Sequence, residues 1–133
     1  MAGLYVDTSA IGRVLLAEPE ARAIRDVLAS FESWWSSELL VVELRRLAER
    51  EDVAAPAERL LAEIRLVPID HGVLERASRL PPMTVRTLDA IHLETAVSLH
   101  RGDDVSAVLT YDRQLQDGCA HHALAVESPL EAN

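Results

Sequence analysis

Four acidic residues stand where a strand end or a helix could bring them to one point: Asp7, Glu43, Asp89 and Asp112. Carboxylates in such a cluster repel one another and shift toward the protonated form unless a cation neutralises them. Clusters made only of oxygen ligands select hard divalent ions such as Mg²⁺ or Mn²⁺. A divalent ion held by acids indicates chemistry on phosphate groups.

The elements that must position these acids follow from the apolar periodicity. The pattern predicts the order β-α-α-β-α-α-β-α-α-β-α-β in one domain spanning residues 1–133. Apolar strands that alternate with helices predict an α/β three-layer sandwich, with a mostly parallel sheet of four to five short strands and helices on both faces. The predicted strands cover residues 4–6, 33–36, 66–69, 105–109 and 123–126, and the predicted helices cover 9–16, 19–31, 38–50, 57–65, 72–79, 88–100 and 113–117.

Each acid has a defined place in this scheme. Asp7 and Asp112 follow predicted strands, and ligands of parallel sheets gather beyond the carboxyl ends of the strands. Asp89 lies at the start of a helix that can point to the same rim. Glu43 lies in the helix for which Ser37 is the predicted N-cap, at the edge of an apolar face, where an unpaired acid is costly.

Taken singly, every one of these acids has a simpler explanation. Asp7 is a common type of N-cap, and Asp89 is a favourable acid in a first helical turn. Asp112 is a typical turn residue, and Glu43 could pair with an arginine on a solvated helix face. Four such acids at the rim of one predicted sheet are much less easily explained in this way.

The charge pattern limits the chemistry further. The chain has 22 acidic and 13 basic residues, a formal net charge of −9, so any contact with nucleic acid must use a local basic strip. Every basic residue is arginine. The absence of lysine excludes a P-loop lysine, a Schiff-base lysine and the lysine of receiver-type phospho-acceptor domains.

The compartment is predicted from cysteine usage and hydropathy. The single cysteine, Cys119, cannot form an internal disulfide and fits a reducing compartment. No signal-peptide pattern is evident, and no apolar run approaches the roughly 20 residues needed to span a bilayer. We therefore expect a cytoplasmic protein.

Other side chains that could carry chemistry have weaker patterns. His92 follows Asp89 by three positions, so an Asp-x-x-His metal pair is conceivable, but a partly buried structural role is favoured. Cys119 lacks an obvious partner base, which argues against a thiol nucleophile. Ser9 lies outside a Gly-x-Ser-x-Gly context and has no evident triad.

Four blocks of sequence together resemble a known family. They are Leu-Tyr-Val-Asp-Thr-Ser-Ala at 4–10, Ser-Glu-Leu-Leu-Val-Val-Glu-Leu-Arg-Arg at 37–46, Val-Arg-Thr-Leu-Asp-Ala-Ile-His-Leu at 85–93 and Leu-Thr-Tyr-Asp-Arg-Gln-Leu at 109–115. With them, the chain resembles PIN-domain ribonucleases, and specifically the VapC toxins of type II toxin–antitoxin pairs. The blocks span nearly the whole chain in the family's order.

The resemblance implies a role for each of the four acids. They would hold Mg²⁺ or Mn²⁺ for the hydrolysis of RNA phosphodiester bonds, with Asp7 and Asp89 as the expected direct ligands. Glu43 and Asp112 would bind the ion directly or through water, and one of them could orient or deprotonate the attacking water.

Further residues and partners follow from the same resemblance. Hydroxyls of Ser9 and Thr110 would orient the acids and waters. A cognate VapB-type antitoxin is expected to fill the groove with a basic segment, and homodimerisation is the habit of the family. The candidate contacts to RNA phosphates are the arginines that flank the acidic blocks: Arg13, Arg45, Arg46, Arg86 and Arg113.

Two alternatives remain open on sequence grounds. One is a DNA nuclease or phosphohydrolase on a related acidic rim. A haloacid-dehalogenase type would need Asp-x-Asp near the first strand, where this chain has Asp7-Thr8-Ser9. The other is a catalytically idle PIN-like binding scaffold, which would usually have lost one of the acids.

Overall fold

A computed structural model describes residues 3–131 of the chain. Within them, five strands and seven helices follow one another in the predicted order. The strands are β1 (Gly3–Val6), β2 (Trp34–Ser37), β3 (Arg65–Val67), β4 (Val105–Leu109) and β5 (Ala125–Glu127), and the helices are α1 (Thr8–Leu15), α2 (Ala21–Ala29), α3 (Leu39–Glu51), α4 (Ala54–Ala62), α5 (His71–Ala77), α6 (Thr87–Arg101) and α7 (Arg113–His121). Among these helices, none is both long and apolar enough to cross a membrane.

The five strands form one parallel sheet in the order β3-β2-β1-β4-β5. Leu4 of the central strand pairs with Trp34 on one side and with Ala107 on the other. The chain first builds the sheet outward from β1 through β2 and β3, and later adds β4 on the opposite side. The order of strands therefore reverses between β1 and β4, where parallel α/β sheets form their ligand-binding crevice.

Helices cover both faces of the sheet because side chains of β1 alternate between them. Leu4 and Val6 pack in a core that includes buried residues of α1, α2, α3 and α4. Tyr5 points the other way, into a second core formed with α6 and α7. The three-layer α/β sandwich predicted from the sequence is confirmed, and its sheet is parallel throughout.

Several helices begin away from their predicted first residues. Ser37 ends β2 instead of capping α3, although its Oγ still accepts a hydrogen bond from the Leu39 N–H at 3.0 Å. Pro19 lies in a turn before α2, closed by a bond of 2.9 Å from the Ala21 N–H to the Glu18 carbonyl. Tertiary pairing of the strands sets these ends, which local propensity alone does not fix.

Helix α7 exceeds its predicted length by more than any other helix: it was predicted to cover residues 113–117 and continues to His121. Gly118, a poor helix former, lies inside it. A Cβ atom at this position would stand 2.7 Å from Cδ2 of Leu93, a fully buried residue of α6. The close approach of α6 and α7 therefore requires the glycine, and packing outweighs its low propensity.

Substitution of Gly118 by alanine is expected to destabilise the protein by about 1 kcal/mol. Better helix propensity contributes up to ~1 kcal/mol, but forcing a methyl group against Leu93 costs about 1–3 kcal/mol. Gly72→Ala in α5 is the matched control, because its new Cβ would meet only the flexible end of Arg76 and the Asp70 carboxylate. Urea unfolding measures both, and a Gly118→Ala protein more stable than wild type would contradict the packing argument.

Candidate active site

Asp7 is the most enclosed of the four acids. It follows β1 and caps α1, with Oδ1 accepting the Ala10 N–H at 3.2 Å. The same oxygen accepts the Ser9 hydroxyl at 2.7 Å, and Oδ2 accepts the Thr110 hydroxyl at 2.6 Å. Burial, which leaves only 4% of the residue exposed, raises the pKa of Asp7 above its usual value, although these hydrogen bonds act against it. The helix cap and the acidic cluster thus use the same carboxylate.

Two hydroxyls join the end of β1 to the loop that follows β4. Ser9 Oγ accepts the Tyr111 N–H at 2.8 Å, and Thr110 Oγ1 accepts the Asp112 N–H at 3.0 Å. Asp112 in turn caps α7 by accepting the Leu115 N–H at 3.0 Å. The predicted pair Ser9 and Thr110 therefore contacts Asp7 directly and ties it to the segment that carries Asp112.

Glu43 reaches the rim from α3. Its Oε1 accepts the Thr8 hydroxyl at 2.8 Å and lies 2.8 Å from Nε2 of His92. Burial acts to raise the pKa of Glu43, but the hydrogen bond to His92, the positive charge that this ring carries when protonated, and the Thr8 hydroxyl outweigh burial and lower the pKa. Glu43 is thus the acid whose ionised form the protein itself stabilises.

Asp89 lies in the first turn of α6 and borders a cleft of about 640 Å³ together with Glu43 and Asp112. Burial, followed by the negative charge of Asp112, raises its pKa to about 6. Asp7 and Glu43 act in the same direction, and His92 opposes them. The four acids therefore share one electrostatic environment, although Asp89 forms no part of the network around Asp7.

The chemistry of this donor set fits a hard divalent cation, because four carboxylates meet at one rim and two of them resist ionisation there. The geometry is open: among residues 3–131, no group of three or more His, Cys, Asp and Glu side chains stands in an arrangement that could hold a metal ion. Support for a metal thus comes from the charges, and the direct ligands remain predictions.

Two of the candidate arginines lie at the cleft or next to it. Arg86 borders the cleft beside Asp89, and its backbone N–H bonds to Oε1 of Gln114 at 2.7 Å. Arg113 is exposed and follows Asp112 at the start of α7. None of the ion pairs found within residues 3–131 involves Arg86 or Arg113. Neither guanidinium therefore has to break an ion pair to contact a phosphate.

The other three arginines have their own partners or lie on α3. Arg13 stacks over the ring of Tyr111, with 4.2 Å from Cζ to the ring centroid, and donates to the Ser9 carbonyl at 2.6 Å. Arg45 grips Glu58 with two hydrogen bonds of 3.0 and 2.8 Å. Arg46 borders a shallow groove on α3 with Arg45. An engaged guanidinium is less available to phosphate than a free one.

Sequence reasoning missed two residues of the hydrogen-bond network that reaches Glu43. Thr8, next to Asp7, donates to Glu43, a residue 35 positions away. Tyr5, within the apolar strand, places its hydroxyl 2.6 Å from Nδ1 of His92. A polar hydroxyl in an otherwise apolar strand was the one available signal for Tyr5. The structural role favoured for His92 agrees with its burial, since only 3% of it is exposed.

Cys119 behaves as the sequence predicted. It is fully buried in the core beneath α7. Burial, with a smaller effect from the charge of Asp7, raises the pKa of its thiol to about 12. A thiol that stays protonated at neutral pH is a poor nucleophile.

Comparison with known proteins decides the family. A family model described as PIN domain matches residues 4–119. Ribonuclease VapC46 of Mycobacterium tuberculosis is 38% identical over 131 residues, an alignment that covers 97% of this chain and 99% of that protein. The chain belongs to the VapC family of PIN-domain proteins. The resemblance recognised in the four sequence blocks is confirmed.

Other VapC proteins match over similar lengths. Ribonuclease VapC47 of M. tuberculosis is 35% identical over 133 residues, covering 95% of this chain and 96% of that protein. A solved toxin–antitoxin complex from Klebsiella pneumoniae contains a chain that superposes with a TM-score of 0.75 at 20% identity, covering 97% of this chain and 99% of that one. At 20% identity, this superposition supports a shared fold and nothing further.

Proposed function

We propose that this VapC-family chain is the toxin of a type II toxin–antitoxin pair, an endoribonuclease that hydrolyses RNA phosphodiester bonds and is inhibited by a VapB-type antitoxin. Its relatives are named ribonucleases, and its structural neighbour is part of a toxin–antitoxin complex. The observation that carries the proposal is the meeting of four acids at the carboxyl edge of the sheet, where two of them have raised pKa values.

In the proposed mechanism, Asp7 and Asp89 would hold Mg²⁺ or Mn²⁺ directly, and Glu43 and Asp112 would hold it directly or through water. When bound, such an ion supplies a more acidic water and neutralises charge on phosphoryl oxygens. Glu43 is suited to orient or deprotonate the water, because its ionised form is stabilised at neutral pH. Asp112 is the alternative base, since it borders the same cleft.

Ser9 and Thr110 orient Asp7 in this mechanism. Each hydroxyl donates to a different oxygen of the carboxylate, so the plane of the carboxylate is fixed. Each hydroxyl oxygen also accepts a backbone N–H from the loop after β4, which fixes the hydroxyl itself. Positioning of this kind through outer partners commonly changes metal affinity or activity by about 10–100-fold.

The partners are proposed on charge grounds. Basic side chains of a VapB-type antitoxin would be attracted to a cleft bordered by Glu43, Asp89 and Asp112 and would compete with the cation there. Homodimerisation, a single PIN domain over residues 1–133 and action in the cytoplasm complete the proposal.

Arg86 is expected to contribute most among the arginines to RNA binding. Arg86→Ala should raise KM several-fold and lower the slope of log affinity against log salt by about 0.7, the value for one phosphate contact with a single strand. Arg45→Ala is the matched control with a much smaller effect, because Arg45 already pairs with Glu58. Filter binding and cleavage kinetics over a salt series measure both. Equal effects from the two substitutions would contradict the proposal that the RNA contacts Arg86 rather than Arg45.

Divalent-cation binding is expected to weaken as pH falls through about 6, the raised pKa of Asp89. At pH values between the ordinary pKa of an aspartate and about 6, Asp89 holds a proton in the metal-free folded state that it has released in the unfolded state. In the metal-free protein, the contribution of Asp89 to the free energy of unfolding therefore falls as pH rises toward 6. A bound cation, in contrast, requires the ionised carboxylate. The rise in Tm on adding Mn²⁺ should be large at about pH 7.5 and mostly lost at about pH 5.

The variant Asp89→Asn tests this assignment. Without Mn²⁺, its Tm should depend less on pH than that of wild type over the same interval, because one of the two acids with a raised pKa is gone. The rise in Tm on adding Mn²⁺ should be smaller than in wild type at about pH 7.5, because an expected ligand is gone. Exposed Asp103→Asn, remote from the cleft at the end of α6, is the matched control and should behave as wild type. A wild-type shift in Tm that is equal at both pH values would contradict the role of Asp89.

The function itself is tested with purified, antitoxin-free protein and a total-RNA pool. Discrete fragments that appear with Mg²⁺ or Mn²⁺ and disappear with added antitoxin would support the toxin endoribonuclease. A parallel reaction with DNA separates this function from a DNA nuclease. Folded protein that binds its antitoxin yet leaves all nucleic acids intact would favour the idle scaffold.

A further inference from the structure

A buried pair of polar residues connects the second core to the cleft. Tyr5 is fully buried in β1, and His92 is 3% exposed in α6. The Tyr5 hydroxyl lies 2.6 Å from Nδ1 of His92, and the two rings meet edge to face at 78°. On its other side, Nε2 of His92 lies 2.8 Å from Oε1 of Glu43. One chain of hydrogen bonds thus runs from the central strand to an acid of the rim.

The directions assigned to these hydrogen bonds start from the first donor. The backbone N–H of Ser37 can only donate, and it points to the Tyr5 oxygen at 3.2 Å. The phenol has one proton of its own to donate, and we assign it to Nδ1 of His92 at 2.6 Å. Ser36 is the other polar side chain beside the phenol, and its own hydroxyl donates to the Val6 carbonyl at 2.6 Å. A neutral imidazole that accepts at Nδ1 carries its proton on Nε2, where it donates to Glu43.

The two donors to Glu43 use the same oxygen. Both the Thr8 hydroxyl and His92 Nε2 bond to Oε1, each at 2.8 Å. The donors come from different elements, α1 and α6, so they fix Oε1 from two directions. The second oxygen, Oε2, is the one that remains for a cation or a water molecule.

We propose that Tyr5 and His92 are positioning residues: Tyr5 orients the His92 ring, and Nε2 of His92 holds Oε1 of Glu43 and leaves Oε2 to act in the cleft. The inference rests on the proposed function, because it refines how Glu43 serves that site. Neither Tyr5 nor His92 touches substrate or cation, since both are enclosed by the core.

Simple packing does not account for this arrangement. Buried phenol and imidazole groups are costly unless fully hydrogen-bonded, so apolar side chains of similar size would serve a core at least as well. Here the polar groups form one continuous series that ends on the side chain of Glu43, which is 27% exposed at the cleft. A series of hydrogen bonds that ends on a cleft side chain can fix the position of that side chain, whereas a polar pair satisfied within the core cannot.

The first test is the protonation of His92 in the metal-free full-length protein. Nitrogen-15 NMR of the histidine side chains, assigned with His92→Gln, distinguishes the two neutral tautomers and the doubly protonated ring. At neutral pH we expect the proton on Nε2 in wild type and a mixture of tautomers in Tyr5→Phe. A wild-type ring without a proton on Nε2 would overturn the proposal, because Nε2 could then not donate to Glu43.

The second test separates positioning from folding. His92→Leu should lower kcat by about 10–100-fold with little change in KM, the usual effect of losing an outer partner. His92→Gln should recover most of kcat, because its amide can donate to Glu43 in place of Nε2–H. His100→Gln, at the other end of α6 and bonded to the Val105 carbonyl, is the matched control and should leave kcat unchanged.

Metal affinity gives a readout that does not depend on cleavage. Titration calorimetry with Mn²⁺ should show affinity about 10–100-fold weaker in His92→Leu and close to wild type in His92→Gln. If wild type binds Mn²⁺ but cleaves no RNA, the proposed function fails and this comparison still decides the positioning role. Equal Mn²⁺ affinity in all three proteins, or no Mn²⁺ binding by wild type, would overturn the inference.

Discussion

The Asp7→Asn substitution is expected to reduce RNA cleavage by about 10³-fold. A metal site supplies several kcal/mol of transition-state stabilisation, and each ~1.4 kcal/mol corresponds to a factor of ten. Asparagine can keep one oxygen for the Ser9 hydroxyl and the Ala10 N–H, so the cap of α1 survives while the negative charge is lost. Single-turnover cleavage of a defined RNA, with protein in excess, measures the effect.

Controls must show that the loss is chemical. Asp26→Asn, on the exposed face of α2, is the matched substitution and should retain wild-type activity. Circular dichroism and thermal melting should show Asp7→Asn folded, and removal of a buried carboxylate with a raised pKa should not lower its stability at neutral pH. Cleavage that persists at the wild-type rate would mean a contaminating nuclease or a misplaced site.

Removal of divalent cations is expected to have an effect of similar size. Without a counter-charge, the carboxylates that are ionised at this rim would repel the phosphate that must approach them. Chelation with EDTA should lower cleavage by about 10³-fold, since it removes the same stabilisation as Asp7→Asn. Addition of Mg²⁺ or Mn²⁺ in excess of the chelator should restore the rate.

The combination of chelation and substitution gives the sharper result. Because both changes remove the same site, EDTA should reduce the residual rate of Asp7→Asn little further, whereas it should reduce the Asp26→Asn rate as strongly as the wild-type rate. Far-ultraviolet circular dichroism before and after chelation checks that the fold is intact. Full cleavage in EDTA would contradict metal dependence.

The overall charge of −9 has a consequence for both partners. RNA approaching this protein gains little from the long-range field, so binding must depend on short-range contacts such as those proposed for Arg86. A basic antitoxin segment meets the opposite situation, since the field and the cleft attract it together. In the proposed function, the net negative charge therefore weakens the attraction of RNA and strengthens the attraction of a basic inhibitor.

The sequence by itself determined the order of the elements and the edge of the sheet at which the acids meet. Both follow from local rules: apolar runs with a period of two or 3.6 define strands and helices, and parallel strands end at a common edge. Asp7 directly follows β1, and Asp112 comes soon after β4, so their convergence required only that the two strands be parallel neighbours. The four sequence blocks were also sufficient to recognise the family.

Only the tertiary structure decided how the acids differ from one another. Thr110 lies 103 positions after Asp7, and His92 lies 49 positions after Glu43, yet each pair forms a hydrogen bond. Sequence spacing carries no information about such contacts, because they depend on how layers pack across the sheet. Burial outweighs the hydrogen bonds at Asp7 and raises its pKa, whereas the contacts with His92 and Thr8 outweigh burial at Glu43 and lower its pKa. Residue type placed the carboxylates, and packing gave each its distinct chemistry, because desolvation and hydrogen bonding are properties of the folded environment.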